Sequence, residues 1–116
     1  MPRKRRFKFI VNPEAGRGKS KHVDAAIDAL VKSRDVEYHI QRTQKRAEAI
    51  AIASSSASQF DVVVAVGGDG TANEVANGLI GSDAAMGVIP TGSGNDFAVL
   101  LGMDSKLESS VNQVLT

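Results

Sequence analysis

The stretch Asp61 to Asn77, DVVVAVGGDGTANEVAN, constrains the fold of this chain more than any other. Its Val62 to Val66 run is apolar and mostly β-branched, which suits a strand buried on both faces, as in a parallel sheet. The run then breaks at Gly67, Gly68, Asp69 and Gly70. Glycine tolerates positive φ and has no Cβ, so such a turn lets a ligand lie directly against main-chain N–H groups. Thr71 follows as an expected N-cap, and Ala72, Val75, Ala76, Leu79 and Ile80 recur at the spacing of a helix with one buried face.

A loop that leaves the carboxyl end of a strand and enters a helix N-terminus favours anions, phosphate above all. Asp69 would repel a phosphate there unless a divalent cation lies between them, which makes it a candidate metal-linked residue. The plainer alternative makes Asp69 a turn residue and Thr71 with Glu74 a capping box.

Composition narrows the possibilities. At 116 residues and 42% hydrophobic, the chain fits one globular domain. It has no cysteine, and its two histidines, His22 and His39, have no evident partner, so disulfides and zinc sites are not expected. No apolar run approaches the roughly 20 residues of a membrane span, and Met1 to Arg6 lacks the apolar core of a signal peptide, so the cytoplasm is the expected location. Net charge is only +1, but Arg3, Lys4, Arg5 and Arg6 open the chain. They form either a solvated tail or a patch for anionic lipid at the inner membrane face. Few aromatic residues are present for stacking, so nucleic acid is not an expected partner.

The rest of the chain alternates strand and helix. Phe7 to Val11 is the first strand, followed by the basic loop Asn12 to Ser20. That loop ends in Gly18-Lys19-Ser20, but Pro13 stands where a P-loop needs glycine, and Lys21 stands at the third glycine position of a dinucleotide fingerprint. Its main chain, Arg17 or Lys19 could hold phosphate; otherwise it is a turn with Ser20 as N-cap. A helix with Val23, Ala26, Ile27, Leu30 and Val31 on one stripe comes next, then a strand over Val36 to Gln41. Thr43 at its end either reaches a phosphate or caps a helix over Ala47 to Ala57. Ala85 to Ile89 reads as a further strand, Thr91 to Asp96 as a second glycine-rich loop with a helix starting near Asp96, and a last helix starts near Ser105 with Ser105 and Glu108 as its capping box. This pattern predicts a three-layer α/β/α domain on a mostly parallel sheet. Loops at successive strand ends would lie along its carboxyl edge, with Asp69 and Asp96 facing one site, unless Asp96 is simply an N-cap.

Three motifs, VNPEAGRG from Val11, GGDGTANEV from Gly67 and IPTGSGNDFA from Ile89, together resemble the diacylglycerol kinase catalytic domain family, which includes bacterial lipid kinases and the sphingosine and ceramide kinases. GGDG alone also occurs in NAD kinases and, more loosely, in 6-phosphofructokinases, so the fold implied is the N-terminal domain of this NAD kinase/diacylglycerol kinase-like, phosphofructokinase-like type. The NDFA ending favours the lipid kinase branch. The resemblance implies ATP-dependent phosphorylation of a lipid hydroxyl such as that of diacylglycerol. It implies nucleotide contacts from Asn12, Pro13, Glu14, Ala15 and Gly16, from Thr43, from Gly67, Gly68, Asp69, Gly70, Thr71, Ala72 and Asn73, and from Thr91 and Gly92. It also makes Asp69 and Asp96 the catalytic acids of a water-linked network around Mg²⁺. Phosphoryl transfer needs charge neutralisation and positioning more than covalent help, which glycine turns and a metal supply.

Two positions depart from the family pattern: a glycine is usual where Ala47 stands, and a basic residue is frequent where Val99 stands. Family enzymes continue into a β-rich half that carries lipid-binding residues and the general base. Residues 1–116 are therefore expected to be the N-terminal ATP-binding half without that C-terminal half, inactive alone and able to pair with a second copy through an exposed apolar face. An NAD kinase-like enzyme and a non-catalytic nucleotide-binding module are the competing readings.

Overall fold

The apolar runs and stripes assemble into one sheet between two helical layers in a computed structural model, which describes residues 3–13, 23–45, 47–91 and 103–116, the side chains of 103–108 excepted. The strands are β1 (Arg6–Val11), β2 (Glu37–Arg42), β3 (Val62–Gly67) and β4 (Ala85–Pro90). The helices are α1 (Val23–Val31), α2 (Glu48–Ser56), α3 (Asp69–Gly78) and α4 (Met103–Leu115). Strand order is β2-β1-β3-β4, and every neighbouring pair is parallel. His22, the Ser20 cap and the helix expected near Asp96 lie outside the described residues, as do the side chains of Ser105 and Glu108.

The interior strands explain the two cores. All of β3 is buried, and β1 is buried from Phe7 to Val11. Successive side chains of a strand point to opposite faces. Phe7, Phe9, Val11, Val62, Val64 and Val66 meet α1 and α4 on one face, whereas Ile10, Val63 and Ala65 meet α2 and α3 on the other. The helices α2 and α3 approach closely because Gly78 has no side chain: an added Cβ would lie 2.5 Å from the Ile50 carbonyl oxygen and 2.8 Å from Ala53 Cβ.

One strand position breaks the apolar rule. Lys8 is buried among the α2-side residues of β1, and its Nζ lies 2.7 Å from Nδ1 of His39 on β2. His39 thus has a partner that the sequence did not reveal. Burial lowers the pKa of the lysine. Desolvation first, and then the lysine charge, lower that of His39; the residue as a whole is exposed, but Nδ1 is turned toward the buried amine.

The basic start of the chain is engaged at the amino edge of the sheet. Arg3 forks onto both carboxylate oxygens of Asp61 at 2.7 and 3.0 Å, and Asp61 also accepts the Arg6 N–H at 2.7 Å. The arginine hydrogen bond, followed by the backbone one, brings the Asp61 pKa down to about 2. Lys4 pairs with Asp35 at 3.4 Å and Arg6 with Glu37 at 3.6 Å. Arg5 donates to the Leu115 carbonyl at 2.8 Å, an interaction suited to the C-terminal end of α4. Exposed ion pairs contribute little individually, about 0–1 kcal/mol each, but these bonds draw the first residues onto the fold.

Two measurements check this packing. Gly78→Ala should destabilise the domain by about 1–3 kcal/mol, since the overpacked contact is backbone, and urea denaturation would show the loss. Because the folded pKa of His39 lies below its unfolded value of 6.5, the unfolded chain gains that proton at higher pH than the folded one. Stability present above pH 6.5 should therefore fall as the pH drops through the folded pKa. The slope should flatten in His39→Gln, as read from melting temperatures at pH 7.5 and pH 5.5, roughly one unit either side of the ordinary histidine pKa.

Candidate functional site

The parallel ladder brings four strand ends to a single rim. Past the last paired residues, Asn12 N–H donates to the Val66 carbonyl at 3.0 Å, Thr43 N–H to Val11 at 2.8 Å and Thr91 N–H to Gly67 at 2.9 Å. Thr43, Asn12, Gly67 and Thr91 therefore stand side by side in the order of their strands.

The central turn is shorter than expected. Gly67 completes β3, Gly68 alone forms the junction as N-cap of α3, and Asp69 is already helical. Thr71 is thus not the N-cap, and the Thr71–Glu74 capping box does not form, because the helix begins before it. Positive φ also plays no part here: among the described glycines it occurs at Gly81. What matters at Gly67 is the missing Cβ, which would lie 2.6 Å from Thr71 Oγ1 and 2.9 Å from Thr71 Cβ. Thr71 is buried, and its Oγ1 accepts a hydrogen bond from Asn12 Nδ2 at 3.3 Å. Gly70 faces open space, with nothing within 4 Å of an added Cβ.

A cavity of about 700 Å³ opens beside this turn, lined by Asn12, Pro13, Thr43, Gln44, Lys45, Ala49, Gly70, Thr71 and Glu74. Its position follows from a stagger between helices. Gly78, at the end of α3, meets Ile50 near the start of α2. Both helices return from parallel strands, so α3 begins more than one turn nearer the rim and leaves room above the first turn of α2. Asn12, Pro13, Thr43, Gly70 and Thr71, singled out from the sequence, come together here. Asp69 is exposed on the first turn of α3, Ala72 packs against the α2-side core, and the exposed Asn73 accepts a hydrogen bond from the Asn77 side chain at its carbonyl. Glu14, Ala15, Gly16, Arg17, Lys19, Gly92, Asp96 and Val99 lie outside the described residues.

The sequence did not point to Gln44, Lys45 or Ala49, and it favoured a capping role for Glu74. Adjacency was the available signal: Gln44 and Lys45 follow Thr43, while Glu74 shares a helix face with Gly70 and Thr71. Thr43 does not cap α2 by a side-chain bond; its hydroxyl lies 3.5 Å from the Val11 carbonyl, and the Gln44 N–H is taken by the Glu48 carboxylate. Ala47, the N-cap of α2, has φ 67. A left-handed alanine costs about 1 kcal/mol, which gives a physical reason for glycine at this position in the family pattern.

Among the described residues, no three His, Asp or Glu side chains cluster as a metal site. Magnesium, however, keeps several waters and takes its remaining oxygens largely from phosphates, so one carboxylate such as Asp69 beside an anion-favouring helix start suits it. The same rim suits a nucleotide tail: bare main chain at Gly70, a helix N-terminus, and polar side chains from two further strand ends.

An open parallel sheet with a cavity at its carboxyl rim is the architecture in which α/β domains place their ligand sites. This chain belongs to the diacylglycerol kinase catalytic domain family, whose model matches residues 6–116. It is 38% identical to a diacylglycerol kinase of Bacillus subtilis over 102 residues, or 85% of this chain and 34% of that protein. It is 33% identical to one of Staphylococcus epidermidis over 117 residues, or 97% of this chain and 36% of that protein. The crystal structure of a diacylglycerol kinase from Bacillus anthracis superposes with a TM-score of 0.77 at 27% identity, covering 99% of this chain and 43% of that one. The chain thus spans about a third of the length of the two sequence relatives.

Gly70→Ala separates the site from the fold. It should leave stability unchanged or raise it by up to about 1 kcal/mol, since alanine is the better helix former. The new methyl group, standing in the open rim, should weaken MgATP binding several-fold by calorimetry.

Proposed function

We propose that residues 1–116 form the ATP-binding half of a lipid kinase that transfers the γ-phosphoryl group of ATP to a lipid hydroxyl such as that of diacylglycerol. The observation that carries this reading is the cavity at the carboxyl rim, where Asn12, Thr43 and the first turns of α3 converge beside Asp69. In this reading the α3 N-terminus and the main chain at Gly70 hold phosphate oxygens, and Asp69 with Asp96 orients the water shell of Mg²⁺. When bound, the metal neutralises charge on the phosphates. Glu14, Ala15, Gly16, Thr91 and Gly92 complete the nucleotide site.

The lipid pocket and the general base are assigned to the length of the relatives that this chain does not span, so the chain alone should bind ATP without turnover. The described helices include none long and apolar enough to cross a membrane. A cytoplasmic enzyme that meets its lipid at the inner membrane face fits this reading. Arg3 to Arg6 could touch anionic headgroups there only in competition with Asp61, Asp35, Glu37 and the Leu115 carbonyl. The reading also includes a homodimer, for which exposed Met86 and Val88 on β4 and Ile80 just past α3 offer apolar surface.

The test uses MgATP titration of this chain, and lipid phosphorylation by the protein carrying the remaining length found in its relatives. Asp69→Ala should weaken Mg²⁺-dependent nucleotide binding at least tenfold and abolish most turnover. Unchanged lipid phosphorylation in that variant would remove Asp69 from the mechanism, and phosphorylation of NAD in place of lipid would establish the NAD kinase alternative.

A further inference from the structure

The rim has a mechanical problem that its main chain does not solve. The ladder that aligns strand ends stops at Gly67, whose carbonyl receives the Thr91 N–H. Beyond it, α3 begins at a glycine N-cap with no side-chain capping bond. The direction of the first turn of α3 relative to β1 must therefore be fixed by something outside the ladder.

Core packing of Val75 and Ala72 holds the body of the helix, and one side-chain link ties its first turn to the end of β1. Thr71 is only 5% exposed, and its Oγ1 accepts the Asn12 Nδ2 hydrogen bond at 3.3 Å. The three nearest atoms that a Cβ on Gly67 would meet all belong to Thr71, at 2.6, 2.9 and 3.3 Å. The threonine side chain therefore lies directly over the bare Gly67 Cα while it is tied to the end of β1. Three residues from three elements form one clasp.

We propose that Thr71 is a positioning residue of the nucleotide site: with Asn12 and the bare Gly67 it locks the first turn of α3 to the end of β1. This rests on the nucleotide reading above and changes the role of Thr71 within it. Its hydroxyl holds the cradle in shape, and the exposed main chain at Gly70 meets the ligand. Both the hydroxyl and the methyl group matter, the first for the bond to Asn12 and the second for filling the space over Gly67. Serine keeps the bond, whereas valine keeps the volume and loses it.

The test is a double-mutant cycle read in MgATP affinity by calorimetry, with Thr71→Val, Asn12→Ala, the double variant and Thr71→Ser. Each single variant should weaken binding about tenfold, the scale of one buried hydrogen bond. The double variant should lose far less than the product of the two single losses, because both break the same link. Thr71→Ser should stay within about threefold of the parent. Losses that multiply to about a hundredfold would mean independent contacts with the ligand and overturn the proposal. A serine variant as weak as the valine one would overturn it too.

A second readout does not depend on nucleotide. Without ligand, the amide chemical shifts of Gly68, Asp69 and Gly70 should move in Thr71→Val and in Asn12→Ala but hold in Thr71→Ser. If the parent binds no MgATP, the nucleotide reading fails and these shifts alone decide the clasp: movement upholds it, and unmoved amides overturn it. Should Thr71→Val not fold, Asn12→Ala is decided by the same amides.

Discussion

A strand buried on both faces has no lateral outlet for polar chemistry, and this constraint organises the molecule. The six residues of β3 are all buried, and its main chain is paired with β1 on one side and β4 on the other. Each backbone N–H and C=O that burial would otherwise strand is used by the ladder. Charge and ligand chemistry therefore gather mainly where strands begin and end, the Lys8–His39 pair within β1 and β2 being the departure. In a parallel sheet those two places differ: helix N-termini face the carboxyl rim, and helix C-termini return to the amino edge. Arg5 at the Leu115 carbonyl and Asp69 on the first turn of α3 are the two ends of that polarity.

The apolar periodicity made much of this fold legible. Val62 to Val66 could hardly be anything but an interior strand, and the stripe of α1 marks the side it buries; of the α3 stripe, Val75 and Leu79 are buried but Ala76 and Ile80 are exposed, Ile80 lying past the helix end. The glycines were less informative, because their sequence does not say which property of glycine is in use. At Gly67 it is the absence of a Cβ under Thr71, and that depends on a neighbour four residues on whose side chain points back. The same ambiguity moved the expected helix start to Thr71, a good capping residue, although Gly68 occupies the cap. Ala47 hides the reverse case: an ordinary helix former held in the left-handed region. No propensity argument would put it there.

The site was legible in proportion to how local its signal is. Asn12, Thr43 and Thr71 each stand at an element end that pattern alone locates approximately. Gln44, Lys45, Ala49 and Glu74 depend on the stagger of α3 against α2, which is set by the contact of Gly78 with Ile50 and Ala53. A contact between residues 28 positions apart leaves no trace in either helical stripe. Lys8 and His39 were hidden for the same reason, since the pair exists only once β1 and β2 are in register. The basic start also changes meaning in three dimensions: Asp35, Glu37 and Asp61 are scattered in sequence but meet Lys4, Arg6 and Arg3 at one edge.

This separation of the two ends has a further consequence for how the chain can change. Asp61, whose pKa is lowered to about 2, lies at the amino edge and works for the fold, held by Arg3 and the Arg6 amide. The rim instead carries an exposed acid at Asp69 and open backbone at Gly70, neither of which bears core packing. Residues there can answer to a ligand without a large cost in stability. Thr71 differs from those two because it is both buried and at the rim. A side chain in that position transmits the rigidity of the core to a surface that must hold its shape, and the glycine beneath it is the condition that lets it fit.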